Sequence, residues 1–144
     1  GTQRLPRIVR IANAWPILRG GEPITSAKAL EIGLVTEEVD GDVRDRAVEL
    51  VREIAGGKAK PKAIERGAME VPARLPGVEL GHLSKAIDKI VQRAVVEGAR
   101  KTLEQGLLFE AEMLASCHAT KDMRIGLDNF VKNGPKVGAA FVHE

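Results

Sequence analysis

The chain has 144 residues, 44% apolar and 29% charged, which suits one domain with a modest core and argues against disorder. Its net charge of +2 comes from interleaved basic and acidic residues, and aromatics make up only 3%, so neither an electrostatic footprint for nucleic acid nor a base-stacking surface is expected. No apolar run approaches membrane-spanning length, the opening residues do not read as a signal peptide, and the single Cys117 excludes an internal disulfide; a cytoplasmic setting without membrane partners is the expectation.

The opening residues Gly1-Thr2-Gln3-Arg4-Leu5-Pro6-Arg7 read like the inside of a domain. Thr2 is expected to cap a helix over 3–11, with Pro6 early enough to be tolerated. Pro16 is expected to interrupt the segment 14–18, which Gly20-Gly21 ends. Thr25 or Ser26 then caps a short helix stopped by Gly33. Only 34–39 alternates like a strand, and Asp40-Gly41 closes it. Asp42 caps a helix whose Ala47, Leu50, Val51 and Ile54 form one apolar stripe before Gly56-Gly57. A brief helix over 61–69 precedes a loop at 71–77. From Ser84 to about His118 the apolar spacing is helical throughout. Gly98 and Gly106 each cost such a helix about 1 kcal/mol relative to Ala, so a break or bend near Gly98 is expected. Thr120 caps a last helix ended by Asn133-Gly134-Pro135, and the tail 136–144 is left either to dock or to fray. The reading is mainly α with at most one short strand, divided into a short-element part, 1–78, and a helical part, 79–144.

The residues alone offer no catalytic constellation. His82, His118 and His143 are scattered and pair with no cysteine at metal-ligand spacing, so no metal site is expected. Gly57-Lys58 lacks the earlier glycine and the following Ser or Thr of a phosphate loop. Glu110 and Glu112 point in different directions on a helix and cannot share a substrate atom. Glu110, near Arg100 or Lys101, reads as surface decoration, as do Lys85/Asp88/Lys89 and Arg93/Glu97. Cys117 reads as a small buried side chain, and Trp15 as a core residue with a pocket-lining role as the alternative.

Gly1-Thr2-Gln3-Arg4-Leu5-Pro6-Arg7, followed by Gly21, Ile24, Thr25, Ala29 and Gly33-Leu34-Val35, resembles the enoyl-CoA hydratase/isomerase (crotonase) superfamily. So do Gly106-Leu107, Glu110, Thr120, Asp122, Gly126, Phe130 and Lys132 near the other end. Arg10 stands where the family commonly has Gly, Pro16 falls in a usually unbroken helix, and Leu114 replaces a frequent aromatic near the adenine of coenzyme A. The stretch 71–92 is longer than in a compact hydratase and looks more like versions related to the multifunctional fatty-acid oxidation enzymes.

The resemblance implies the helical C-terminal part of a ββα-spiral fold, with helices that assemble into trimers or pairs of trimers. It implies an acyl-CoA substrate, with coenzyme A as part of that substrate and no separate cofactor. The expected chemistry is hydration or isomerisation of an enoyl-CoA through an enolate held in an oxyanion hole. The family's oxyanion-hole segments and acidic residues precede the Gly1 motif, so this chain is expected to be inactive alone. Only Gly1 would reach the edge of the active site. Leu114, Phe130 and Lys132 (or Lys136) are the candidate coenzyme A contacts, with a solvated lysine at a helix C-terminus as the alternative. Other reactions of the superfamily, such as hydrolysis or decarboxylation, stay open, as does a non-catalytic helical interaction module.

Overall fold

The computed structural model describes all 144 residues and contains seven helices and no strand. The alternating stretch at 34–39 is irregular, and 61–69 is not helical. The helices are α1 (Arg4–Val9), α2 (Ile11–Gly20), α3 (Ser26–Glu31), α4 (Val43–Ala55), α5 (Lys85–Ala99), α6 (Leu103–His118) and α7 (Lys121–Asn133).

The long helical pattern splits at 100–102, just beyond Gly98. What divides it is Thr102, whose hydroxyl accepts from Gln105 N while Gln105 returns a carbonyl to Thr102 N; this capping box restarts the helix as α6. Gly98 and Gly106 serve the packing of α5 against α6 and α1. A Cβ at either position would stand inside van der Waals distance of the Gln3 side chain, and one at Gly106 would lie 3.1 Å from Gly98 O. Gln3 is fully buried there and donates from Nε2 to Ala94 O at 2.8 Å. Arg7, also buried, donates to Gln3 O and Oε1 and to the carbonyls of Gly98 and Lys101. Lys101 O, just past the end of α5, has no backbone donor of its own, whereas Gly98 O also accepts from Lys101 N.

The first helix stops earlier than its spacing suggests, because Arg10 turns the chain at φ 72 and ψ 154. Pro16, by contrast, does not interrupt its segment: α2 runs through it to Gly20, forfeiting only the bond a backbone N–H at 16 would give Ala12 O. This helix carries Ile11 and Trp15 onto Val95 and Ala99 of α5, forming the main core cluster. Trp15 is a core residue, 4% exposed, and Nε1 donates to Pro76 O at 2.9 Å. Arg19, one turn on, lies over the Trp15 ring and binds Asp88 in a fork at 2.7 and 2.8 Å. Asp88 is therefore buried in the α2–α5 joint, not on the surface.

The irregular segment after Pro61 caps the α5–α6 corner. Met69 N donates to Ala99 O at 2.7 Å and Arg66 O accepts from Leu103 N at 2.8 Å, satisfying one free carbonyl and one free amide at two helix ends. Its backbone is thus committed to other helices, which is why 61–69 does not coil on itself. Met69, Val71, Leu75 and Val78 then roof the core cluster.

Thr25 caps α3, and Gly33 at φ 76 closes it while Leu34 N reaches back to Ala29 O. Asp42 caps α4, but α4 buries none of its residues, and Val43 and Val51 are 66% and 64% exposed. The C-terminal tail docks. Asp122, 1% exposed, accepts from Val142 N and His143 N and from the Ser84 hydroxyl, joining α7, the tail and the start of α5.

Candidate functional site

Two apolar grooves run along α5. The first, about 440 Å³, lies between residues 1–2, α5 and α6; Ile90, Val91, Ala94, Leu107, Met113 and Leu114 line it. The second, about 380 Å³, shares Val91 and lies between the end of α2, α5, α7 and the tail residue Phe141. Amphipathic spacing builds both, because the helices turn apolar faces toward a space that neighbouring side chains do not fill.

The first groove holds two of the residues singled out by sequence. Gly1 stands at its rim and Leu114, 57% exposed, on its α6 wall. Phe130 and Lys132 are not brought to it: both sit on the exposed side of α7, with Phe130 58% exposed. Lys136 is exposed in the segment beyond α7.

One groove residue escaped the sequence reading. Glu110 does not decorate the surface beside Arg100 or Lys101. Its Oε1 accepts from the Gly1 amino group at 2.9 Å, the Thr2 hydroxyl at 2.6 Å and Gln3 N at 3.3 Å. Burial alone would raise its pKa, but the hydrogen bonds from Thr2 and Gln3 act against it and the carboxyl is held below its ordinary value. Thr2 consequently donates to α6 and does not cap α1; the cap position is Gln3, whose side chain makes no capping bond. A signal was available: Glu110 falls at helical spacing between Leu107 and Leu114, on the same side of α6, the one that faces the groove. Cys117 closes the far end of the groove, and burial pushes its thiol pKa up, the opposite of an activated nucleophile. No group of three or more His, Cys, Asp or Glu side chains gathers in a metal-binding arrangement.

The chain is 29% identical to the crotonyl-CoA hydratase of Syntrophomonas wolfei over 132 residues, 92% of this chain and 41% of that protein. It is 30% identical to the fatty acid oxidation complex subunit alpha of Shewanella putrefaciens over 139 residues, 85% of this chain and 19% of that one. A short-chain-enoyl-CoA hydratase of Clostridioides difficile matches at 25% over 90% of this chain and 68% of its own length. By sequence the chain is thus similar over most of its length to enoyl-CoA hydratases and to a fatty acid oxidation subunit. It spans less than half the length of the first two of these relatives. No protein-family model matches it, and no solved structure does. The mainly α architecture agrees with the helical part that the superfamily resemblance implies.

Proposed function

We propose that this chain is the C-terminal part of an enoyl-CoA hydratase or isomerase. The whole enzyme would add water to, or move the double bond of, an enoyl-CoA thioester through an enolate stabilised by backbone N–H donors. The observation that carries the reading is similarity over 85% or more of the chain to proteins named as hydratases and as a fatty acid oxidation subunit. The groove joining Gly1 to Leu114 supports it, since it sets the expected active-site edge and the expected coenzyme A contact on one surface. In this reading the segment supplies scaffold and substrate contact, and no acid, base or oxyanion donor. Coenzyme A arrives as part of the substrate, and Phe130 and Lys132, or Lys136, contact it from beyond the groove. A cytoplasmic location goes with this reading.

Incubation of the isolated chain with crotonyl-CoA tests it. The expected result is measurable coenzyme A-dependent binding and no loss of the enoyl absorbance. Turnover by the isolated chain would overturn the assignment of catalysis to other residues, and absence of any binding would overturn the substrate.

A second reading, a helical module that assembles with copies of itself as a trimer or pair of trimers, is favoured by one observation. Leu108 and Leu114 of α6 and Leu127, Phe130 and Val131 of α7 are 71%, 57%, 48%, 58% and 82% exposed, apolar surface that self-assembly would remove from water. Native mass spectrometry distinguishes it, since a monodisperse monomer at micromolar concentration excludes self-assembly.

A further inference from the structure

Glu110 is a partly buried carboxylate that the proposed chemistry leaves unused. Three donors converge on one of its oxygens, and all belong to residues more than a hundred positions away in the chain. The residues it gathers have a second anchor, because Gln3 is wedged between Gly98 and Gly106. The two anchors differ in kind. The wedge is steric and fixes Gln3; the carboxylate fixes Gly1 and Thr2, which form the rim of the first groove.

We infer that Glu110 is a positioning residue: its ionised carboxylate holds the Gly1–Thr2 wall of the groove in place, and protonation lets that wall go. Two other bonds reach these residues, Gln3 Nε2 to Thr2 Oγ1 at 3.5 Å and Leu5 N to Gly1 O at 3.1 Å, and neither is ionic. The Gln3 side chain makes no capping bond to α1, and the α5 residues that line the groove are Ile90, Val91 and Ala94. Among the groove residues the other titratable side chain is the Cys117 thiol, so Glu110 is the only groove carboxylate that acidification neutralises. The clamp is thereby present above the ordinary Glu value of 4.5 and is lost as pH falls through the depressed value of the folded state. That the wall borders an acyl-thioester site rests on the function proposed above; the clamp itself does not.

Hydrogen exchange of the amides of residues 2–5, corrected for intrinsic rates, tests the clamp in the unaltered chain, in Glu110→Gln and in Glu110→Ala. The unaltered chain should exchange these amides about tenfold faster at pH 3 than at pH 6. Glu110→Ala should exchange fast at both, while the amides of α5 and α6 stay protected. Glu110→Gln, which keeps an acceptor but cannot titrate, should be intermediate with no acid step. Protection at residues 2–5 in Glu110→Ala equal to the unaltered chain, or no acid step in the latter, would overturn the inference. A crotonyl-CoA titration of the same samples at pH 7 separates the two ideas. Absence of binding with an intact acid step removes the proposed substrate and leaves the clamp.

Discussion

Single residues decide the sign of two substitutions against their usual expectation. Helix propensity predicts that Gly98→Ala and Gly106→Ala gain about 1 kcal/mol each. The Gln3 amide occupies the space either methyl would need, and overpacking a fixed buried group costs about 1–3 kcal/mol. Urea unfolding should therefore show each variant about 1–2 kcal/mol less stable; a gain would show that Gln3 is free to move. Arg10 gives the opposite case. It occupies φ 72, ψ 154, a region costly for any side chain and free to Gly. It forms none of the ion pairs or side-chain hydrogen bonds found elsewhere on α1 and α2. Arg10→Gly should thus raise stability by about 1 kcal/mol in the same measurement, and a loss would mean that the guanidinium has a partner outside this chain.

At the scale of elements, local signals located most helices and missed what joins them. Asp42, Ser84 and Thr120 each begin a helix where expected, because an N-cap acts within three residues and its chemistry is readable there. The Arg10 turn, the uninterrupted run through Pro16 and the uncoiled 61–69 were not legible, since each is settled by packing between distant residues. The site divides the same way. Gly1 and Leu114 meet in one groove, whereas the role of Glu110 depends on donors at residues 1–3 that only the fold brings near. Two joints can be tested directly. Trp15→Phe keeps the ring in the core but leaves Pro76 O without its donor, a loss of about 1 kcal/mol by urea unfolding. Asp122→Asn removes the charge that gathers Val142 N, His143 N and Ser84; hydrogen exchange should then quicken in residues 141–144 and leave α6 unchanged. Equal exchange in the two proteins would show that Phe141 against Gly126 is enough to hold the tail.

Across the whole molecule the core is thin and the joints are ionic. Twelve hydrophobic residues are buried, and as many large ones are more than a third exposed, so apolar burial alone leaves a small margin over chain entropy. Three carboxylates tie the elements together: Asp88 joins α5 to α2, Glu110 joins α6 to residues 1–3, and Asp122 joins α7 to α5 and the tail. Burial raises the pKa of each, yet hydrogen bonds outweigh it and all three lie below their ordinary values. A carboxyl depressed in the folded state stabilises the fold above its unfolded value and loses that contribution as pH falls through the folded one. The urea midpoint should therefore stay nearly level from pH 7 to about 5 and drop steeply below about 4, where the unfolded chain binds protons first. The drop should be cooperative across probes, because the joints lie on different helix pairs and losing one loosens the packing of the next. Replacing Asp88, Glu110 and Asp122 together by their amides should lower stability at pH 7 and flatten the acid limb. An acid limb as steep in the triple variant as in the unaltered chain would place the acid sensitivity in other carboxylates.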